Sequence, residues 1–480
     1  MRKLIPWVLG IASGVYYYLL SAKIFTWVYL SVDAGEWLSL LHWWYVPHRF
    51  GKPLIILLSR GVGVFPGDDV LKLTVAMAII PAAITVAFTY LIALRLTGKV
   101  YLAVIAALVL MGAAVFTSQA GVVEQYTFTA MFVTLAYWFH IKGSKVGTLA
   151  CLGLVTATHI VGVFFLLVWV FVYWPERKEW FKASWAYFVT GILPYGLLFA
   201  LMANPDVPRL HAGGLNFQAV FEYFFAGDAA AAMLAVHAAP QRILEMVQVT
   251  LITLGGAVVP FIVAMRVQDR NAKLLLGMMG FTMWFWLTAL YPSVWKYAAF
   301  FLPLVAVYAA IGLTKLPKWH TVVILVWAIA LIGLNAVYFN TDVIAREDPR
   351  ATDFYEAVWA LPDGVAVVTA RGGAYGFALH YALAEGKDFI PLPQHNPYES
   401  GEEIPREPDQ RYRDSLEWAK RTYGLEGENM FDLIEYARNQ GLEVYYGQPL
   451  TPTWERMIEV EGTVPGRIIS IYRDHKEARN

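Results

Sequence analysis

The sequence predicts a mostly α, polytopic membrane protein that carries a C-terminal α/β domain outside the cytoplasm. Three observations predict it. Mean hydropathy is +0.49, with 58% apolar and only 15% charged residues, far from the composition of soluble globular chains. Apolar runs of membrane-spanning length recur along the first two thirds of the chain. From Arg346 to Asn480, by contrast, Asp, Glu, Lys and Arg crowd together. The division falls at 1–342 for the membrane domain and 343–480 for the soluble one. Formal net charge is zero, so no global basic field points to nucleic acid. The single cysteine, Cys151, excludes a disulfide within the chain.

Met1, Arg2 and Lys3 precede an apolar run with no small-residue cleavage site behind it, which reads as an uncleaved first helix. A span needs roughly 20 apolar residues. Runs near that length occur at Ile5–Phe25, Leu71–Leu94, Tyr101–Gln119, Tyr126–Ile141, Trp185–Met202, Ile243–Met265, Leu274–Leu290, Tyr297–Leu313 and Val322–Tyr338. Val146–Trp174 is too long for one upright helix and short for two full crossings. The basic residues decide it. Arg2 and Lys3 put the N-terminus in the cytoplasm, and the pairs Arg95/Lys99 and Lys142/Lys145 fall in alternate joints. A single crossing by Val146–Trp174 would put Arg177, Lys178, Lys182, Arg266, Arg270, Lys273, Lys315 and Lys318 outside. Two crossings, or two half-helices meeting near Thr156–His159, return all of them to the cytoplasm. That gives about eleven membrane segments.

With this topology the external joints form one surface. The first joint carries Asp33, Glu36, Trp37, Trp43, Trp44, His48, Arg49, Lys52 and Arg60. Cations on the outer side run against the positive-inside bias, and an anionic ligand is one reason for them. The next joints add Gln119, Glu124, Tyr126 and His159, then His211, a stretch around Phe221–Phe225, Tyr291, Trp295 and Lys296. Carboxylates, imidazoles, cations and indoles at a membrane rim suit an enzyme acting on a lipid-borne anionic substrate, since such groups are costly near the membrane interior. Each has a plainer role as well. Asp33, Glu36 and Glu124 also suit helix N-termini, Trp43 and Trp44 suit interfacial anchors, and His159 suits a hydrogen-bonded structural position. Their convergence on one face is the stronger signal. Asp33, Glu36 and Glu124 would also assemble an oxygen-ligand site for a divalent metal.

These residues resemble the GT-C superfamily of membrane glycosyltransferases, which take a sugar from a polyprenyl-phosphate donor on the non-cytoplasmic face. Within it the sequence is most similar to the family that includes a plexin-type protein O-mannosyltransferase. Asp33, Gly35, Glu36 and Trp37 match an Asp-x-Gly-Glu-aromatic element. His48, Gly51, Pro53 and Leu54 match a His-Pro-Pro-Gly-x-Pro-Leu element, with Arg49 and Phe50 in place of the two prolines. Glu124 and Tyr126 match Glu-Val-Tyr around Gln125, and Gly153 and His159 match a Gly…His element followed by Ile160 and Val161 instead of Thr-Asn. The resemblance implies a multi-pass mannosyltransferase-type enzyme, with Asp33 and Glu36 catalytic. Donor phosphate and sugar would contact His48, Arg49, Lys52, Lys296, Glu124, Tyr126, His159 and Trp43. The partners it implies are membrane lipid, a polyprenyl-phosphate-linked sugar, and a protein or glycan acceptor.

The C-terminal region alternates elements. Helical patterns at Thr352–Leu361, Tyr375–Glu385, Gln410–Thr422 and Met430–Asn439 interleave with strand-like Val365–Ala370, Asp388–Leu392, Glu443–Tyr446 and Ile468–Tyr472. That is an α/β layer. Gly372-Gly373, behind Arg371, after a strand and before a helix, suits an anion at the helix N-terminus or, more simply, a tight turn, and falls far short of a nucleotide fingerprint.

The competing class is a transporter or lipid flippase with an external domain. Against it stand charges gathered at one rim rather than at midplane, and halves without a visible repeat. The topology is checked directly: reporters fused after Asn340 and after Trp174 should report opposite sides of the membrane. The same side for both would remove the double crossing of Val146–Trp174.

Overall fold

The computed structural model describes residues 3–28, 34–42, 44, 52–159, 161–204, 253–266, 269–288, 292–338, 350–369, 381–393, 410–428, 430–446, 455–461 and 468–473. It is a bundle of apolar helices followed by a small mixed sheet with helices.

Helix α1 (Ile5–Val28) leads to two short helices, α2 (Ala34–His42) and α3 (Pro53–Gly63), within what the sequence presents as the first external joint. Pro53 starts α3, where a missing N–H costs nothing. Gly63 lets α3 close on α2, because a Cβ there would lie 2.3 Å from the Leu41 carbonyl oxygen. Arg60 Nη1 donates to that same carbonyl at 2.7 Å, and its guanidinium lies over Trp44. Arg60 thus serves the C-terminus of α2, where a cation is favoured.

Asp69–Thr97 is one continuous stretch made of α4 (Asp69–Thr74), a π turn (Val75–Ile79) and α5 (Ile80–Thr97). Pro81 lacks the N–H that would bond back to Met77. The Thr127 hydroxyl reaches the Met77 carbonyl instead, at 3.3 Å, and the neighbouring Ala78 carbonyl at 3.2 Å. This bond ties the start of α8 (Tyr126–Ile141) to the middle of a span.

The run Tyr101–Gln119 is not one helix, as its hydropathy suggests. It breaks at Ala113 into α6 (Val100–Gly112) and α7 (Ala114–Ala120), bent by 68°. The Thr117 hydroxyl takes the Met111 carbonyl at 2.8 Å, and the Asn335 amide takes that of Gly112 at 3.0 Å. Breaks inside a membrane protein survive only where such partners exist.

The run Val146–Trp174 divides, as expected, into α9 (Lys145–Thr158) and α10 (Val161–Val172). His159 turns the chain in extended conformation. Gly162 permits the reversal, since a Cβ there would come within 2.3 Å of the Thr156 nitrogen. Leu149 near the start of α9 and Trp169 near the end of α10 line one cavity, so the two helices run antiparallel.

The basic joints gather at the end of the bundle away from His159. Arg95 Nε donates to the Ile141 carbonyl at 3.3 Å. His140 meets Tyr173 at 2.8 Å, and the Tyr173 hydroxyl donates to Asn271 at 2.7 Å. Arg270 pairs with Glu176 at 2.6 Å, and Lys145 with Glu179. These contacts join α5, α8, α9, α10, α11 (Arg177–Tyr187) and a later helix, Arg270–Thr288.

Helices α12 (Tyr195–Ala203), α13 (Val258–Met265), α14 (Arg270–Thr288), α15 (Leu302–Leu313) and α16 (Lys318–Tyr338) complete the described bundle, with a 3-10 helix at Pro292–Phe300 before α15. Among the described residues, Asp69–Thr97, Trp174–Leu201 and Lys318–Ala336 are long and apolar enough to cross a membrane unaided, and α6 with α7 would be a fourth span. Six shorter apolar helices accompany them.

The C-terminal layer holds a five-stranded sheet in the order β2-β1-β3-β5-β4. Strands β1 (Val365–Thr369), β2 (Phe389–Pro393) and β3 (Val444–Tyr446) pair in parallel, while β4 (Glu455–Glu461) and β5 (Ile468–Arg473) add antiparallel. Helix α17 (Arg350–Trp359) precedes β1, and α18 (Gln410–Tyr423) and α19 (Met430–Asn439) lie between β2 and β3 in sequence, all close to the expected bounds. Strand β4 escapes sequence reading because Glu455, Arg456, Glu459 and Glu461 dilute its apolar alternation, a composition typical of an edge strand.

The layer docks on α2 and α3 through a shared core that includes Trp37, Leu41, Ile55, Ala357, Val358 and Val365. Polar contacts lock the junction. His42 Nε2 meets Asp69 at 2.5 Å, and the Tyr381 hydroxyl contacts Asp69 at 3.3 Å and Glu385 at 2.8 Å. Burial, followed by the Glu385 charge, pushes the Tyr381 phenol far above its ordinary pKa, so it stays a donor.

Gly312 marks the tightest helix crossing: a Cβ there would lie 1.7 Å from the Pro260 carbonyl oxygen. Gly312→Ala should cost about 1–3 kcal/mol by forcing α13 and α15 apart. Gly196→Ala, with nothing within 4 Å, should not. Thermal unfolding of the two variants in one detergent checks this.

Candidate active site

Five of the residues that stand out in the sequence come together at the end of the bundle that holds the α9–α10 turn: Lys52, Glu124, Tyr126, His159 and Lys296. Separate elements deliver them. Lys52 precedes Pro53 at the N-cap of α3. Glu124 and Tyr126 flank the N-cap of α8, whose position is set by the Thr127 bond to the π turn. His159 is the α9–α10 turn, and Lys296 lies in the 3-10 helix Pro292–Phe300.

Charge is buried here to an unusual degree. Lys52 and Lys296 are each 4% exposed, Glu124 is 1% exposed, and Glu36 in the first turn of α2 is fully buried. Lys296 Nζ stands 3.9 Å from Glu124 Oε1, at the outer edge of an ion pair, and 6.0 Å from the centre of the Tyr126 ring. Lys52 Nζ lies 4.2 Å above the indole of Trp37, within cation–π range. With its amide oxygen toward Lys52, Gln125 accepts from Lys52 Nζ at 3.0 Å and donates to Glu124 Oε2 at 3.1 Å. One carboxylate thus anchors two cations, directly and through an amide. Lys52 has no carboxylate within ion-pair distance among the described residues. Gln125, at the N-cap of α8, makes no side-chain cap hydrogen bond.

An aromatic wall adjoins the charges. Tyr126 stacks on Phe300 at 5.7 Å, and His159 packs against Tyr297 at 5.1 Å and Phe300 at 5.3 Å. The Val161 N–H donates to His159 Nδ1 at 3.1 Å, which fixes the ring and leaves the proton on Nε2. Thr129 and Thr158 join α8 to α9 through hydroxyls 3.2 Å apart.

Asp33, Trp43, His48 and Arg49 lie outside the described residues, as do His211 and the stretch 221–225. Sequence reading passed over Trp37, Gln125, Tyr297 and Phe300 as site residues. Gln125 carried a signal, since a polar amide stands where the resembled motif has valine. The two aromatics carried none beyond apolar character.

Among the described residues one cluster has metal-ligand chemistry. His42, Asp69 and Glu385 present ligand atoms within 4.8 Å of one another. Lys72 already holds Asp69 at 2.6 Å and tyrosine hydroxyls hold Glu385, so these groups fit the domain junction. Glu36 and Glu124 join no such cluster among the described residues.

No protein-family model matches the sequence, and no curated protein matches it. Solved structures do match. ArnT from Cupriavidus metallidurans bound to undecaprenyl phosphate aligns over 98% of this chain and 98% of its own, with a TM-score of 0.65 at 12% identity. The apo state of ArnT aligns over 98% of this chain and 96% of its own, with a TM-score of 0.61 at 12% identity. The likeness spans membrane helices and C-terminal layer alike. At this identity it is one of fold, and it is the polytopic GT-C-like fold with a small sheet that the sequence predicts.

Removing the bridging amide should expose its role. Gln125→Leu leaves Lys52 with the indole alone and should lower stability by about 1–3 kcal/mol. Adding Lys52→Met should restore much of that loss, because an apolar pair can replace a buried polar one. A double-mutant cycle by thermal unfolding checks the coupling.

Proposed function

We propose that this protein is an inverting glycosyltransferase that moves a sugar from a polyprenyl-phosphate donor to a hydroxyl acceptor at the Lys52–Glu124–Lys296 end of the bundle. The observation that carries this reading is Lys52. Its buried ammonium has only an indole face and a neutral amide around it among the described residues. A buried charge held this way is costly until an anion joins it. A lipid phosphate supplies that anion, and Lys296 supplies a second cation for it. The fold shared with ArnT bound to undecaprenyl phosphate supports a lipid-phosphate donor.

The reaction needs little covalent help from the protein. The acceptor oxygen attacks the anomeric carbon on the face opposite the phosphate. Asp33 takes the hydroxyl proton, and the bond from the anomeric carbon to the phosphate oxygen breaks, with the electron pair leaving on that oxygen. Polyprenyl phosphate departs and the configuration inverts. Lys52 and Lys296, with Arg49 and His48 from the same joint, stabilise the charge that develops on the phosphate. Glu124 holds both lysines in place, and Glu36 orients the first joint beside Asp33. Tyr126, His159 and Trp43 offer aromatic faces for the sugar. Protein O-mannosylation is the specific form that the Asp33-to-Trp37 and His48-to-Leu54 motifs support. The non-cytoplasmic side is supported by the basic clusters at the opposite end of the bundle.

Single-turnover transfer in proteoliposomes, with a panel of polyprenyl-phosphate hexoses and pentoses, tests the assignment. Asp33→Asn should fold and bind donor yet transfer ~10²–10⁴-fold slower, the range of general-base catalysis. Lys52→Gln should instead weaken donor binding by ~1.5–3 kcal/mol. Near-normal transfer by Asp33→Asn would rule it out as the base, and unchanged donor affinity in Lys52→Gln would move the phosphate elsewhere.

A further inference from the structure

We infer that the protein carries a second lipid site, for an anionic glycerophospholipid, between α9, α10 and α11 at the basic end of the bundle. A cavity of about 650 Å³ opens there, within the ~300–1,000 Å³ range of ligand pockets. Its inner wall is apolar, built from Leu149, Leu166, Trp169 and Tyr187, and its rim carries Arg177, Lys178 and Lys182. Charge above and hydrocarbon below is the profile of a phospholipid.

The length of the helix explains this layering. Trp174–Leu201 is 28 residues long, against the roughly 20 that span a bilayer. The excess lies at its start, where Arg177 and Lys178 stand with Lys182 one turn further on, so the cations lie toward headgroup level while Tyr187 lies about one to three turns deeper. Trp174 and Phe181, 56% and 80% exposed, also line the cavity along the same stretch.

The rim charges are surplus. Glu176 is paired with Arg270 and Glu179 with Lys145. Arg177, Lys178 and Lys182 make no ion pair among the described residues, and Arg177 only lies over Trp174 and bonds its carbonyl. The indole N–H groups of Trp169 and Trp180, both on the cavity wall, also have no acceptor among the described residues. Basic pockets between membrane helices on the cytoplasmic side suit anionic headgroups. This site lies at the far end of α9 from His159 and stands independently of the proposed transfer chemistry.

Native mass spectrometry of the full chain in detergent, titrated with phosphatidylglycerol, phosphatidylcholine or polyprenyl phosphate, tests it. The wild type should retain one phosphatidylglycerol in preference to phosphatidylcholine. The triple variant Arg177→Gln, Lys178→Gln, Lys182→Gln should lose that preference by roughly tenfold. Leu166→Trp, which fills the cavity and leaves the charges, should also release the lipid. Lys315→Gln with Lys318→Gln, off the cavity wall, should change nothing. Unfolding midpoints in lipid-free detergent verify that each variant is folded. Retention of phosphatidylglycerol by either the triple variant or Leu166→Trp would overturn the site. An equal loss in the Lys315/Lys318 control would reduce it to a diffuse surface field, and one-for-one displacement by polyprenyl phosphate would reassign the groove to the donor's chain.

Discussion

Between Thr158 and Val161 the chain reverses inside an apolar region, and much of the molecule depends on that turn. Reversal within a membrane is costly because backbone groups leave their helical partners. Here the cost is met locally: the His159 N–H bonds Val155, its carbonyl accepts from Gly162, and its ring accepts from Val161. Gly162 supplies the room for α10 to start against Thr156. The turn brings Lys145, Glu176, Glu179 and Arg270 together at the other end of the bundle. Its tip joins the aromatic wall beside Lys296, and its open base frames the cavity rimmed by Arg177, Lys178 and Lys182.

Buried charge is the second governing feature. Two lysines and two glutamates sit almost wholly out of water, and a bundle built for stability alone would use apolar residues there. The surrounding scaffold is correspondingly specific. Pro81 frees a carbonyl, Thr127 takes it, and the start of α8 is thereby held where Glu124 and Gln125 reach both cations. A displacement at this π turn would move Glu124 and Gln125 without touching any charged residue.

The short helices α2 and α3 link the membrane bundle to the C-terminal layer. Trp37 contributes its indole to Lys52 and its bulk to the core shared with Val358 and Val365. His42 and Asp69 continue the contact into Tyr381 and Glu385. The C-terminal layer therefore packs directly on the elements that hold Lys52.

The sequence by itself determined the class of protein, most helix positions, the division of Val146–Trp174 and the α/β character of the C-terminal part. These follow from hydropathy, local periodicity and charge sidedness, all of which can be read along the chain without knowing which segments pack together. It also marked Lys52, Glu124, His159 and Lys296, because charge or imidazole at a membrane rim is conspicuous wherever it occurs, and Tyr126 through the motif it shares with Glu124. Tertiary structure alone decided that these five meet, that Gln125 bridges Lys52 to Glu124, and that Arg60 serves α2 instead of the site. It alone broke Tyr101–Gln119 at Ala113, where Asn335 from a distant helix takes the released carbonyl. The physical reason is that hydrogen bonds and ion pairs need atoms within a few ångströms, and residues as far apart in the chain as Lys52 and Lys296 acquire that proximity only when the helices pack.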